Sequence, residues 1–302
     1  MNKKIKTNSN SEIYKIFKKS QKFSIKWTSY FQVYDQIFKK YKDKKITFVE
    51  VGVANGGSLF VWKKYFSKKS RIIGIDLNPK AKKLRKHGFE IYIGNQTKKE
   101  FWNNFYHKVG KIDILLDDGG HKNLQQVSTV HYSLPHIKND GIIVVEDTHA
   151  SFIKKEFGNP SKYSFINFCN LIISSIHKRC KVLNKKLNIY SKNIFSIDFY
   201  ESIVVFNINK NKCWISKSIK NNAKNEWAID YRDNEYFYKT KKFIYTKFLM
   251  LNKNYDGNTP SVIFLSVKLL KKIVRKILYK NFIFQIYENI KLKKIFNAIE
   301  KQ

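Results

Sequence analysis

The sequence predicts an α/β fold, a doubly wound sheet that is mostly parallel and ends in an antiparallel hairpin. Between Ile46 and Asn207, short runs rich in Ile and Val alternate with longer stretches of helical character, which is the pattern of β-α-β units. The runs are nearly continuous in apolar character, as expected of parallel strands that are covered on both faces. A close pair of runs around Glu201-Ser202 then predicts the hairpin.

Five strands, one packing helix and the hairpin are predicted in order along this core. The five strands are Ile46–Val53, Arg71–Leu77, Phe89–Gly94, Ile112–Asp118 and Gly141–Asp147. A helix follows over Ser161–Lys178, because apolar residues recur there at helical spacing. The hairpin strands are Ile194–Tyr200 and Ile203–Ile208. This order predicts one Rossmann-like domain over residues 46–210.

Helical additions are predicted on both sides of this domain. Residues 1–45 form a basic extension with helices over Ser11–Ser20 and Tyr34–Tyr41. Residues 211–302 are basic and rich in aromatic residues, and they end in an amphipathic helix. Over residues 261–280 that helix can lie on an anionic membrane surface or pack on the domain, and packing is the favoured interpretation.

The composition limits the classes of partner and compartment. Lys and Arg total 59 against 23 Asp and Glu, a formal net charge of +36, and such a field attracts phosphates, nucleic acid or anionic membranes. Lys, Asn and Ile are abundant everywhere, however, so the codon usage of an AT-rich genome is the favoured source of the charge. Three cysteines without C-x-x-C spacing indicate neither a disulfide framework nor a zinc site. We expect a cytoplasmic protein, without a signal peptide or a membrane-spanning segment.

A glycine-rich loop after the first strand predicts a nucleoside site. Gly52, Gly56 and Gly57 are spaced G-x-x-x-G-G and lead into a helix, whose N-terminus offers free N–H groups. This spacing differs from the G-x-G-x-x-G of pyrophosphate-binding folds, and Glu50 would repel a pyrophosphate at that turn. A cationic sulfonium ligand therefore suits the loop better, although a tight turn without a ligand is the alternative.

Two further polar residues are predicted at the same edge of the sheet. Asp76 ends the second strand, where a carboxylate can accept hydrogen bonds from ribose hydroxyls. Gln96 follows the third strand, where an amide can address an adenine. A helix N-cap is the alternative role for Asp76. The joint placement at the carboxyl ends of consecutive strands favours ligand binding.

Four carboxylates and two histidines follow the next two strands. The fourth strand ends in Leu116-Asp-Asp-Gly-Gly-His121 and the fifth in Val145-Glu-Asp-Thr-His149. Carboxylate oxygens at this density suit a hard cation such as Mg²⁺. A histidine beside such a metal can act as general base on a substrate hydroxyl, whose acidity the metal raises. The pattern thus predicts O-methylation. The alternative is that Asp117 caps a turn, that the two histidines are bonded to the backbone and that the remaining acids are paired with lysines.

At these residues the sequence resembles class I S-adenosylmethionine-dependent methyltransferases, in particular bacterial macrolide-sugar and other sugar O-methyltransferases. The resemblance extends over about Lys26–Ile208. It is carried by the segments Lys26–Tyr34, Phe48–Gly52, Gly56–Trp62, Ile73–Asp76, Leu116–His121, Val145–His149 and Ser196–Tyr200. Residues beyond Lys210 have no part in it.

The resemblance implies a metal-assisted site. In metal-dependent members of the family, the second Asp of the D-D-G-x-H motif and the E-D pair hold Mg²⁺, while the motif's His deprotonates a sugar hydroxyl. Carried over, the metal ligands are Asp118, Glu146 and Asp147, and His121 is the base. The residues implied around S-adenosylmethionine are Glu50, Gly52, Gly56, Ser58, Asp76, Gln96 and Asp117, with Lys26, Trp27 and Tyr30 near the acceptor. Asn95 and Gly120 depart from the family, which usually has Asp and Ser there.

The predicted function is methyl transfer from S-adenosylmethionine to a sugar hydroxyl. We expect a sugar-containing acceptor, namely a glycan, a nucleotide sugar or a glycosylated metabolite, as in polysaccharide biosynthesis. An RNA methyltransferase is one alternative, suggested by the charge and the aromatic-basic stretch Trp227–Phe248, but no RNA-binding motif is present and no specific nucleic acid is expected. The other alternative is a catalytically silent scaffold for glycan assembly that lies at the inner face of the membrane. A homo-oligomer is compatible with the sequence.

Overall fold

The computed structural model describes residues 10–20, 22–153, 162–180, 187–217, 219 and 221–224, together with residues 290 and 292. The chain divides into two compact units, Met1–Ile219 and Lys220–Gln302. The stretch Trp227–Phe248 and the amphipathic helix predicted over 261–280 lie outside the described residues. Within the described part of the chain, no helix combines the length and the apolar character that crossing a membrane requires.

Within these residues, seven strands form one sheet. They are β1 Thr47–Val51, β2 Arg71–Asp76, β3 Glu90–Ile93, β4 Ile112–Asp117, β5 Ile137–Val145, β6 Ile194–Tyr200 and β7 Ile203–Ile208. The order across the sheet is β3-β2-β1-β4-β5-β7-β6. The first five strands pair in parallel, whereas β7 is antiparallel to both β5 and β6. The predicted doubly wound sheet with a closing hairpin is confirmed.

Helices cover both faces of this sheet. They are α1 Glu12–Lys18, α2 Tyr30–Phe38, α3 Gly57–Tyr65, α4 Lys99–Val109, α5 Asn123–Ser133, α6 Phe165–His177 and α7 Ile189–Asn193. Short 3₁₀ helices connect them over Lys39–Tyr41, Pro79–His87, Leu134–His136, Thr148–Phe152 and Lys210–Lys212. The aromatic side chains of α2 and α3 pack on one face of the sheet, where Trp62 contacts Phe38 and Phe48. The N-terminal helices therefore belong to the same core as the sheet.

Several predicted bounds were wrong by a few residues. Helix α2 begins at Tyr30, four residues before the predicted start, because Tyr30 and Phe31 are buried together with Tyr34. Strand β5 begins at Ile137 and ends at Val145, since Asp147 has a left-handed backbone with φ of 53° and cannot continue a strand. Strand β1 ends at Val51 because Gly52 turns the chain with φ of 84°. The hairpin strands have the predicted bounds.

Candidate active site

The loops after β1 and β4 touch at Gly52. Its amide donates to the Ile75 carbonyl at 2.8 Å, and the Asp118 amide donates to the Val51 carbonyl at 2.9 Å. A Cβ at position 52 would lie only 2.1 Å from the Asp118 carbonyl oxygen. Glycine is required here both by this contact and by the positive φ. The predicted glycine loop thus lies directly beside the acidic motif.

Asp76 holds the glycine loop in place. Its Oδ2 accepts hydrogen bonds from the amides of Val53 at 3.0 Å and Ala54 at 2.9 Å, while its Oδ1 accepts one from the Asn78 amide at 2.7 Å. A carboxylate oxygen has two acceptor sites, so Oδ1 retains capacity for a further donor such as a ribose hydroxyl. Leu77, predicted inside the strand, instead follows its end and is 67% exposed. It offers an apolar surface at this edge that sequence reasoning missed.

Glu50 lies beneath the loop and is fully buried. Its Oε2 accepts a hydrogen bond from Ser58 Oγ at 2.8 Å, and Ser58 is the second residue of α3. Burial raises the pKa of Glu50 to about 7, and Lys26 is the chief influence that opposes this shift. Both residues therefore support the start of α3 from inside the protein.

Gln96 and Asp117 form a buried pair between the ends of β3 and β4. Gln96 Nε2 donates to both Asp117 oxygens, each at 3.1 Å, and to Thr129 Oγ1 at 3.0 Å. Burial raises the pKa of Asp117, while the hydroxyl of Thr129 and the Gly119 amide oppose that rise. The pair joins the loops that follow β3 and β4. The Gln96 amide nitrogen donates its hydrogen bonds to Asp117 and Thr129 inside the protein.

Lys26 connects the N-terminal segment to the acidic motifs. Its ammonium lies 2.5 Å from Asp118 Oδ2 and 2.6 Å from Glu146 Oε2, and its side chain is only 5% exposed. Glu146 is completely buried, and its other oxygen accepts a short hydrogen bond from the Tyr34 hydroxyl. The sequence placed Lys26 near the methyl acceptor but gave no role to Tyr34. Neither the ion pairs of Lys26 nor the hydrogen bond of Tyr34 leaves a signal in sequence spacing.

Burial and charge oppose each other in this pair. Burial raises the pKa of Glu146 to about 8, with Lys26 as the chief opposing influence. For Lys26, burial lowers the pKa, but the carboxylates of Asp118 and Glu146 outweigh burial and raise the pKa well above its usual value. Lys26 is therefore a cation throughout the neutral range, shared between two acids.

Asp147 is surrounded by aromatic and histidine side chains. Its Oδ1 accepts hydrogen bonds from Tyr30 at 2.6 Å and from Trp27 Nε1 at 3.1 Å. Its Oδ2 lies 3.3 Å from His121 Nε2. His149 is farther away, at 3.9 Å from Oδ1, and its Nδ1 is instead bonded to Ser202 Oγ. Asp147 therefore orients His121 more directly than His149.

His121 and Asp147 both have strained backbones, with φ of 57° and 53°. Non-glycine residues in this left-handed region cost about 1 to 2 kcal/mol each and are concentrated at functional sites. Within the described residues, the Nδ1 of His121 is buried without a hydrogen-bond partner. The chain thus places an imidazole at the acidic motif against its local backbone preference.

The donor set at this edge fits a divalent cation. Ligand atoms of Asp118, His121 and Asp147 lie within 4.8 Å of one another, and all three side chains are partly exposed. Carboxylate groups with open positions for water suit Mg²⁺ or Mn²⁺. Glu146 is not part of this group, and its two oxygens bind Tyr34 and Lys26.

The two departures from the resembled family have local effects only. Asn95 Oδ1 accepts hydrogen bonds from the amide and hydroxyl of Thr97, each at 2.9 Å, and so forms a turn. A Cβ at Gly120 would lie 2.3 Å from the amide group of Gln125. A serine at position 120 would thus require Gln125 to move, but no predicted catalytic group would be lost.

The sheet combines five parallel strands and a closing antiparallel hairpin with a glycine loop after β1 and acids after β2, β4 and β5. Residues 49–148 match the family model described as a methyltransferase domain. The match covers about a third of the chain.

Curated proteins with related sequences are O-methyltransferases by name. The 8-demethyl-8-alpha-L-rhamnosyl tetracenomycin-C 2'-O-methyltransferase of Streptomyces olivaceus is 31% identical over 138 residues, which are 43% of this chain and 36% of the relative. The mycinamicin VI 2''-O-methyltransferase of Micromonospora griseorubida is 30% identical over 130 residues, 39% of this chain and 31% of the relative. The chain thus spans about a third of the length of these relatives.

Solved structures show the same fold. The MycE methyltransferase of the mycinamycin pathway, solved with Mg, SAH and mycinamycin VI, has a TM-score of 0.59 and 22% identity, covering 68% of this chain and 55% of MycE. A second crystal form of MycE, with Mg and SAH, covers 78% of this chain and 60% of MycE at the same TM-score.

Proposed function

We propose that this protein is an S-adenosylmethionine-dependent O-methyltransferase that acts on a hydroxyl of a sugar-containing acceptor with the help of a divalent cation. The observation that carries the proposal is the group formed by Asp118, His121 and Asp147, whose ligand atoms lie within 4.8 Å of one another beside the glycine loop. The rhamnosyl group in the name of the relative from Streptomyces olivaceus supports the choice of a sugar acceptor.

His121 is the proposed general base. Its Nε2 faces Asp147 Oδ2 at 3.3 Å, and a carboxylate beside an imidazole stabilises the imidazolium that forms when the base accepts a proton. In the proposed reaction the hydroxyl proton goes to His121, the acceptor oxygen bonds to the methyl carbon, and the carbon–sulfur bond breaks to leave S-adenosylhomocysteine. Positioning supplies most of the rate enhancement in such a displacement.

The proposed cofactor site is the edge formed by Gly52, Gly56, Asp76 and Leu77. Asp76 Oδ1 retains an acceptor site for a ribose hydroxyl, and the exposed Leu77 side chain offers an apolar surface to an adenine. Glu50, Ser58, Gln96 and Asp117 are buried. We therefore assign these four residues to the support of the cofactor loops rather than to the cofactor surface.

The proposed metal ligands are Asp118 and Asp147, with Glu146 joining them once it is free of Lys26. A bound divalent cation would lower the pKa of the acceptor hydroxyl by polarisation. Trp27 and Tyr30 lie beside Asp147, where they border the proposed acceptor position. We assign residues 46–210 to the catalytic domain, residues 1–45 to an N-terminal extension that shares its core, and residues 211–302 to a C-terminal extension.

The test is methyl transfer from radiolabelled S-adenosylmethionine to a panel of glycosides, nucleotide sugars and glycans. We expect product with at least one sugar acceptor, and we expect EDTA to stop the reaction and added Mg²⁺ to restore it. Calorimetry should give micromolar cofactor binding in the same preparation. An absence of cofactor binding with and without Mg²⁺ would overturn the proposal, and EDTA-resistant turnover would overturn its metal-assisted part alone.

A further inference from the structure

The segment from Lys22 to Ser29 crosses the candidate site without forming a helix or a strand. Its carbonyl at Phe23 lies against the head of α3, since a Cβ at Gly57 would meet that oxygen at 2.0 Å. Its Trp27 donates to Asp147 at 3.1 Å. One short stretch of chain thus touches both the start of the cofactor helix and the acidic motif after β5.

The side chains of this segment alternate between two environments. Phe23, Ile25 and Trp27 are 69%, 75% and 59% exposed, whereas the Lys26 side chain between them is only 5% exposed. Because its large apolar side chains are not buried, the segment has little hydrophobic burial to hold it in place. Lys26 attaches the segment to the interior through its two ion pairs.

The ammonium of Lys26 lies where a metal ion would need to approach two of the acids. Mg²⁺ takes oxygen ligands at about 2.0 to 2.1 Å in near-octahedral geometry. Lys26 Nζ already lies 2.5 Å from Asp118 Oδ2 and 2.6 Å from Glu146 Oε2. An ammonium and a dication on the same carboxylate oxygens would repel each other strongly in a partly buried site.

We propose that Lys26 and a divalent cation compete for Asp118 and Glu146, so that metal binding expels Lys26 and releases the segment Lys22–Ser29 from the site. The inference rests on the metal-assisted function proposed above. It makes Lys26 a positioning residue. Before the metal binds, Lys26 holds the carboxylates of Asp118 and Glu146 close to each other and shields them from solvent. It also couples metal occupancy to the segment that covers the head of the cofactor helix.

The first test uses the unmodified protein. We expect Mg²⁺ to increase tryptic cleavage after Lys26 at least about fivefold, measured by mass spectrometry of the peptides, because cleavage requires the Lys26 side chain to leave the interior. Cleavage after the exposed Lys68, which lies in the turn before β2 and outside this segment, is the internal control and should not change. Protection of Lys26 at a Mn²⁺ concentration that saturates the protein, as judged by electron paramagnetic resonance, would overturn the inference.

The second test compares metal affinity in two variants by the loss of the free Mn²⁺ resonance. We expect Lys26→Met to bind Mn²⁺ at least about tenfold more tightly than the unmodified protein, because a competing cation is removed. Lys22→Met removes an exposed charge from the same segment and should bind Mn²⁺ as the unmodified protein does. Equal or weaker binding by Lys26→Met would contradict competition.

The outcomes separate this inference from the proposed function. If the unmodified protein binds Mn²⁺ but Lys26→Met binds it no better, competition is wrong and metal assistance stands. If neither protein binds Mn²⁺, both competition and metal assistance are wrong, whereas methyl transfer is still measured separately. Should Lys26→Met fail to fold because Glu146 loses its buried partner, the proteolysis of the unmodified protein decides.

Discussion

Asp76 Oδ2 accepts a hydrogen bond from the Ala54 amide at 2.9 Å, across 22 positions of the chain. The same oxygen accepts from Val53 at 3.0 Å, so the end of β2 fixes the shape of the loop that follows β1. The carboxylate thereby orders the loop before any ligand arrives. A preorganised loop costs less conformational entropy when a ligand binds.

We expect Asp76→Ala to weaken the binding of S-adenosylmethionine at least tenfold, because charge-assisted hydrogen bonds contribute about 1.5 to 3 kcal/mol each. The measurement is calorimetric titration of each protein. Asp113→Ala is the matched control, since Asp113 accepts a backbone hydrogen bond from Thr47 at 2.8 Å near the opposite edge of the sheet. The control should lose stability but keep its cofactor affinity within about twofold; equal loss of affinity in both variants would contradict the assigned role of Asp76.

Gly52→Ala should destabilise the protein by about 3 kcal/mol or more, because the new Cβ would lie 2.1 Å from the Asp118 carbonyl oxygen in addition to the strain of the positive φ. Gly88→Ala is the control. Gly88 has a similar φ of 81°, but a Cβ there meets only the flexible end of Lys63 at 3.3 Å. We expect the control to cost about 1 kcal/mol in urea denaturation. Equal costs would mean that backbone strain alone requires glycine at position 52.

The stability of the protein should decrease as the pH rises from about 4.5 to about 7, in part through Glu50. Burial raises the pKa of Glu50 from 4.5 to about 7, so the native state binds more protons than the unfolded state in this window. The stabilising contribution is complete below pH 4.5 and is lost above pH 7, a change of about 3 kcal/mol.

Glu50→Gln isolates this contribution because the amide does not titrate and still accepts the hydrogen bond from Ser58. We expect the free energy of unfolding of the variant, relative to the unmodified protein, to rise by about 2 to 3 kcal/mol between pH 5 and pH 7.5. Denaturant titrations at both pH values give this difference. A difference that is the same at both values would show that Glu50 has an ordinary pKa.

His121→Ala should lower the turnover number by a factor of about 10² to 10⁴, the range typical of a lost general base, while cofactor affinity stays within about threefold. His149→Ala is the control from the same cluster, because its imidazole is bonded to Ser202 and lies farther from Asp147. We expect the control to retain turnover within about tenfold. An inactive His149→Ala beside an active His121→Ala would reverse the assignment of the base.

Sequence reasoning predicted the sheet well because its signals are local. Parallel strands buried on both faces leave continuous apolar runs, and the hairpin has a short turn between two such runs, so both were found. The first residues of β5 were missed because Lys138, Asn139 and Asp140 are exposed and polar and pair with β4 only across a register shift. The early start of α2 was missed although Ser29, a residue type favoured at N-caps, precedes it; its side chain makes no capping hydrogen bond.

The candidate site was predictable in its residue types and its position but not in its pairings. The carboxyl ends of neighbouring parallel strands meet at one edge, so Asp118 and Asp147 were expected to lie together, and they do. The bond from Lys26 to Glu146 joins residues 120 positions apart, and no local pattern encodes such a contact. For the same reason the buried roles of Glu50 and Gln96 were not foreseen.

The distance in sequence between Lys26 and its acids also sets the order in which the site can form. Asp118 is 92 positions away and Glu146 is 120 positions away, and contacts of such separation carry a large entropy cost of loop closure. During synthesis, Lys26 emerges from the ribosome long before the residues of β5 do. We expect the carboxylate cluster to be complete only after β5 has joined the sheet, because Glu146 and Asp147 follow that strand.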